Sequence, residues 1–204
     1  VPLPRRMWAG GKLNFHEPLV LGEAAAKQST VTAIEPKTGR SGALFFVTLT
    51  HELTQNGTLC LSEEQTLVYR EPSQPEAPPA APKPAADLST PHFSASYTPT
   101  PILLFRYSAL TFNSHRIHYD VDFCRTIEGY PDLVIHGPLI ATLILDLFWR
   151  NFNHTYPKTF AYRAQTPLFH PHPFTVNGLR HSTNGRGWAT DHNGRLAMNA
   201  TLHF

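Results

Sequence analysis

With 204 residues, 41% of them hydrophobic, the chain is long enough for one medium domain or two small ones, each with a buried core. Its formal charge of +2 comes from 17 Lys and Arg scattered among 15 Asp and Glu, so no basic block marks it as a nucleic-acid binder. Two cysteines, Cys60 and Cys124, are too few for a disulfide framework and fit a reducing compartment; the longest apolar stretch, 133–149, is interrupted by His136, Gly137, Pro138 and Asp146, too often for a membrane span, and a cytoplasmic protein is expected.

The first 71 residues read as β structure. Enrichment in β-branched and aromatic residues predicts strands over 29–34, 43–53 and 66–69, with turns at Lys37-Thr38-Gly39 and Asn56-Gly57. The nearest helical candidate, 23–27, is short, so this module is nearly all β or has its helix upstream of Val1. From 72 to 101 the alternation gives way to Ala, Ser and nine of the 19 prolines, which is linker composition. The run Pro78-Pro79-Ala80-Ala81-Pro82-Lys83-Pro84 lacks the N–H groups for a regular ladder and favours a stiff, extended form. Two modules, 1–71 and 102–204, joined by this linker are therefore expected.

In the second module, 139–151 predicts a strongly apolar helix, followed by strands over 159–169, 174–182 and 186–204. Pro138 suits the first turn, where its missing N–H would have had no partner. Leu139, Ile140, Leu143, Ile144, Leu147 and Phe148 cover more than one face, so the helix is expected to be buried. A buried helix wrapped by a long antiparallel sheet is an α+β arrangement, the hotdog, and two such modules make a double hotdog whose N-terminal half lacks its helix in this chain.

Groups with chemical capacity crowd into Asn113-Ser114-His115-Arg116-Ile117-His118-Tyr119-Asp120. A second phrase, Glu128-Gly129-Tyr130-Pro131-Asp132-Leu133-Val134-Ile135-His136-Gly137-Pro138, leads into the apolar helix. Together they resemble the motif of MaoC-type (R)-specific enoyl-CoA hydratases, in which an Asp stands five residues before a His and a loop feeds the hotdog helix. Here Asn113 occupies the Asp position and His118 that of the catalytic His. That departure is similar to a sub-branch containing mesaconyl- and itaconyl-CoA hydratases and fungal-type mitochondrial hydroxyacyl-thioester dehydratases. The likeness to double-hotdog itaconyl-CoA hydratases extends to Arg5-Arg6-Met7-Trp8-Ala9-Gly10-Gly11, Gly39-Arg40-Ser41-Gly42 and Val68-Tyr69-Arg70-Glu71. It implies hydration of itaconyl-CoA or mesaconyl-CoA to citramalyl-CoA, with coenzyme A as part of the substrate and no separate cofactor.

The residues suit that chemistry. Conjugate addition of water needs a base for the water and a stabiliser for the enolate oxygen. His118, whose unperturbed pKa is about 6.5, is the candidate base and returning acid. Asn113 can hold the water but cannot be its base. The unpaired N–H of Gly137 at the helix N-terminus can bind the thioester oxygen. Arg106, Arg116 and Arg125 are candidates to bind a substrate carboxylate or the coenzyme A phosphates. His115 stands between support and a direct role, and His136 either meets substrate or orients the start of the helix.

His16, His51, His154 and His203 are read as packed, hydrogen-bonded residues. His115, His118 and Asp120 have ligand-type side chains, but their spacing does not put all three on one face, so no metal site is expected. His170-Pro171-His172 reads as a strand-end turn; Gly10-Gly11 and Gly185-Arg186-Gly187 have no phosphate-loop spacing and read as turns. Within hydro-lyases the rival is a 3-hydroxyacyl-thioester dehydratase of fatty acid synthesis; outside them, a hotdog thioesterase, disfavoured by the missing carboxylate at 113, or a non-catalytic acyl-binding module. The modules are expected to pack as a pseudo-dimer with one active site per chain, leaving homo-oligomer formation open.

Overall fold

The computed structural model describes residues 1, 3, 5–39, 42–71 and 89–204. The first half holds β1 (Arg5–Phe15), β2 (Ala25–Gly39), β3 (Gly42–Gln55) and β4 (Thr58–Arg70). Next come β5 (Phe93–Tyr97), α1 (Pro101–Leu110), a 3-10 turn at Arg116–His118, a single helical turn α2 (Val121–Phe123) and a π-helical turn at Cys124–Glu128. Helix α3 (Gly137–Asn151) precedes β6 (Thr159–Ala164), β7 (Phe174–His181), β8 (Asn184–Thr190) and β9 (Leu196–His203).

The chain divides into two units, and the division is not a single cut: Val1–Ala77 belongs with Thr155–Arg163 and Thr201–Phe204, while Pro78–His154 belongs with Ala164–Ala200. In the first unit the strands run in the antiparallel order β2-β3-β4-β1-β6. All of its described elements are strands; the helical candidate at 23–27 instead leads into β2, whose pairing with β3 begins at Ala25↔Gln55. The Asn56-Gly57 turn is present, both residues at positive φ (51° and 78°), the geometry that a two-residue hairpin loop requires. Lys37-Thr38-Gly39 is not a turn: Gly39 pairs with Gly42, so these residues stay in β2 and the connection falls on Arg40 and Ser41, outside the described residues. Gly10-Gly11 is not a turn either. Both residues lie in β1 beside a bulge, where a Cβ on Gly10 would stand 2.5 Å from the Tyr162 carbonyl oxygen. The strand β1 itself carried no sequence signal beyond the family phrase.

In the second unit, β9, β8, β7 and β5 run in that order, and α3 packs against β7, β8 and β5. Ile144 and Phe148 are fully buried and Leu139, Ile140 and Leu147 nearly so, each worth about 1.5–3 kcal/mol of hydrophobic stabilisation, whereas Leu143 is half-buried. The sheet accommodates the helix through its glycines. Gly185 and Gly187 lie within β8, not in a turn: a Cβ on Gly185 would collide with Phe148, and one on Gly187 would stand 2.5 Å from Ile144 Cγ2. The chain reversal comes two residues earlier, at Ser182-Thr183, with Ser182 at φ 48°. The expected strand over 186–204 is divided by a turn at Asp191–Gly194, where the Asp191 carboxylate accepts from the Asn193 and Arg195 N–H groups. His170-Pro171-His172 is a turn, following Phe169, which bridges to Val134. Two elements depart from the sequence reading. Strand β5 and the first residue of α1 fall inside the stretch read as linker, and 72–88, including the proline run, lie outside the described residues.

Candidate active site

Helix α1 starts on a cap written in the sequence. Thr100 Oγ1 accepts from the Leu103 N–H at 3.1 Å and Pro101 occupies the first turn. Its other end sets up the site. The Asn113 N–H returns to the Ser108 carbonyl and the Phe112 N–H to that of Ala109, with Phe112 at φ 51°, a Schellman closure in which a Phe holds the position glycine usually takes. This reversal delivers Asn113 to the following loop, where its side-chain oxygen accepts from the His115 N–H at 3.1 Å.

The short 3-10 turn then presents His118, which is 7% exposed. Its Nδ1 lies 2.7 Å from the Val134 carbonyl oxygen. A carbonyl can only accept, so Nδ1 carries the proton and the neutral ring keeps its lone pair on Nε2. The acceptor is held in turn: the Val134 N–H donates to Ile117, the Ile135 N–H to Leu168, and the His170 N–H to Leu133. Asp132 pins the same loop, accepting from His170 Nδ1 and Arg125 Nη2, each at 2.9 Å, and from the Leu133 N–H. Partial burial raises the Asp132 pKa, but the Leu133 backbone N–H and the His170 and Arg125 side chains together hold it below the usual carboxylate range.

His136 precedes α3 and is fully buried. Its ring stacks on His118 with centroids 3.6 Å apart and planes 15° from parallel; Tyr107 meets its edge at 4.8 Å, and Nε2 lies 2.8 Å from Ser108 Oγ. Burial drives the His118 pKa down to about 4, partly offset by the Val134 hydrogen bond and reinforced by His115, and drives that of His136 down to about 3 with help from His118. Both imidazoles are therefore neutral near pH 7. Because residues 118 and 136 are in ring contact, His118 sits beside the first turn of α3, where Gly137 is partly exposed.

The sequence candidates thus separate. Asn113 is tied to His115 by its hydrogen bond to the His115 N–H, and the His115 and His118 rings stand 5.9 Å apart. His136 belongs to the same cluster and is fully buried against His118. Arg116 is bound to Asp120 at 2.6 Å and lies over Phe123, and Arg125 is bound to Asp132. Arg106 is exposed on α1. Sequence reasoning missed Ser108 and Tyr107, which meet His136 from α1, and the Val134 carbonyl; the only available signal was their nearness to the two phrases. Among the described residues, no three His, Cys, Asp or Glu side chains gather in a shell that could hold a metal ion. No helix among them is long and apolar enough to cross a membrane.

Comparison with known proteins agrees with the fold. Mesaconyl-C(4)-CoA hydratase of Chloroflexus aurantiacus is 43% identical over 210 residues, an alignment covering 100% of this chain and 72% of that protein. The crystal structure of a MaoC-like dehydratase from Phytophthora capsici superposes with a TM-score of 0.76 at 13% identity, covering 98% of this chain and 71% of that one. A Mycobacterium tuberculosis protein described as having a double hotdog fold superposes with a TM-score of 0.61 at 15% identity, covering 98% of this chain and 74% of that one. The chain has the double hotdog fold, and with residues 1–170 matching the model of hydroxyacyl-thioester dehydratase type 2, it belongs to that family of MaoC-like hotdog hydro-lyases.

Proposed function

We propose that the protein adds water to the conjugated double bond of a 2-enoyl-CoA, with mesaconyl-C4-CoA as substrate and citramalyl-CoA as product; itaconyl-CoA, whose double bond lies between the β- and γ-carbons, reaches that product by the same step only after a proton has moved from the α- to the γ-carbon. The observation that carries this reading is the hydrogen bond from His118 Nδ1 to the Val134 carbonyl, which leaves Nε2 as a base beside the N-terminus of α3. His118 Nε2 takes a proton from water as the hydroxyl adds to the β-carbon, then returns a proton to the α-carbon. Asn113 already accepts through Oδ1, so its NH2 group is the part suited to donate to the water or to the departing hydroxyl. The Gly137 N–H, aided by the positive end of the α3 dipole, receives the negative charge that develops on the thioester oxygen. A His118 pKa of about 4 makes the ring a weak base, so the oxygen's stabilisation carries much of the barrier reduction.

A dehydratase acting on 3-hydroxyacyl thioesters, the same reaction in reverse on an unbranched chain, is the second reading. It is favoured by the family match and by the engagement of Arg116 and Arg125 with Asp120 and Asp132, which leaves the carboxylate of a C5 dicarboxylic acyl group to be met by another cation. Formation of citramalyl-CoA from itaconyl-CoA, which has no conjugated enoyl band to lose, and loss of enoyl absorbance with mesaconyl- and crotonyl-CoA separate the two. Turnover of the first two supports the C5 assignment; turnover of crotonyl-CoA alone transfers the assignment to the dehydratase. His118→Ala is expected to abolish both, and near wild-type turnover by that variant would reject the mechanism.

A further inference from the structure

The Val134 hydrogen bond on Nδ1 sets the His118 ring plane only within the wide angular tolerance of a single hydrogen bond. The torsion about the bond joining the ring to Cβ has broad wells, so rotation would both weaken that bond and turn the Nε2 lone pair, and a second constraint is needed to hold them. His136 supplies it as a parallel ring 3.6 Å away, and the His136 plane is fixed in turn by the Nε2 contact with Ser108 at 2.8 Å and by the Tyr107 edge. The choice of imidazole at this place is costly. Nδ1 of His136 is buried without a hydrogen-bond partner, a penalty of about 1–3 kcal/mol that a phenyl ring of similar shape would avoid. What the phenyl ring would lose is the bond to Ser108, which locks the plane.

We propose that Ser108 and His136 are positioning residues that act through His118: the Ser108 hydroxyl orients the His136 ring, and that ring holds the His118 plane so that Nε2 faces the reacting water. Neither residue touches substrate. The proposal rests on the hydro-lyase reading of the site, and its test has one arm that needs no substrate.

The variants are Ser108→Ala, which removes one oxygen from a helical position, Ser108→Thr, which keeps the hydroxyl, and His136→Phe, which keeps a flat ring. In ligand-free protein, ¹⁵N-resolved NMR of the His118 ring should show a single Nδ1–H tautomer for wild type and Ser108→Thr, and mixed tautomers for Ser108→Ala and His136→Phe. In turnover, Ser108→Ala should lower kcat on the order of tenfold to a hundredfold with KM within about twofold, and Ser108→Thr should restore it. An unchanged His118 tautomer in Ser108→Ala, or equal losses in kcat for Ala and Thr, overturns the proposal. Wild type inactive on every enoyl- and 3-hydroxyacyl-CoA would instead overturn the hydro-lyase reading, while the NMR result still decides whether the pair orients His118.

Discussion

Two neutral imidazoles stacked inside one unit make the fold sensitive to acid, with a sign set by the direction of their shifts. Unfolded, His118 titrates at about 6.5; folded, at about 4, because burial opposes its charge. Between these values the unfolded chain binds the extra proton, so stability falls as the pH falls and is fully retained only above about 6.5. His118 alone should remove roughly 2 kcal/mol by pH 5 and roughly 3 kcal/mol by pH 4. His136 acts in the same direction over a window reaching down to about 3, with His118 opposing its charge as His115 opposes that of His118. The assay is urea denaturation followed by circular dichroism at pH steps from 7.5 to about 4.5, for wild type and His118→Asn. Wild type should lose stability more steeply than the variant, the difference between their slopes approaching that of one proton. Parallel curves would refute the claim that His118 is held neutral by burial.

Other consequences are directly measurable. Gly187→Ala would press a methyl against Ile144, which is fully buried and has nowhere to move; a loss of about 1–3 kcal/mol in denaturant unfolding is expected. Phe112→Gly should leave stability within about 1 kcal/mol of wild type, since the left-handed backbone favours glycine and the Phe112 side chain is 97% exposed; a loss of several kcal/mol by thermal unfolding would contradict this. Asp132→Asn should cost about 1–3 kcal/mol, because it weakens the contacts to His170 and Arg125 that pin the loop presenting Val134; an unchanged Tm would show that the loop does not need them.

Much of this architecture was legible in the chain. The apolar run of α3, with Pro138 in its first turn, needed no tertiary information, and Asn56-Gly57 identified its hairpin by backbone preference alone. Helix α1 was hidden because Ile102, Phe105 and Leu110 are exposed and leave no clear buried stripe; Thr100-Pro101 was the sign that went unread. Gly185 and Gly187 were mistaken for turn residues because the reason for each glycine, the close approach of α3, lies some forty residues away in sequence, at Phe148 and Ile144. At the site, Asn113, His118 and Gly137 were proposed from phrase and spacing. The Ser108–His136 contact could not, since it joins residues 28 apart through a fold that must exist first. The arginines were chosen for charge alone, and the ion pairs of Arg116 with Asp120 and of Arg125 with Asp132 were not foreseen.

The most direct test of the central chemistry follows oxygen. Incubating the protein with mesaconyl-CoA in H2(18)O and resolving the products by mass spectrometry separates addition to the alkene from attack at the carbonyl. Hydration by His118 predicts an intact coenzyme A thioester carrying the heavy oxygen as an acyl-chain hydroxyl, with no rise in free thiol. Free coenzyme A together with a labelled carboxylate would instead identify thioester hydrolysis and contradict the account.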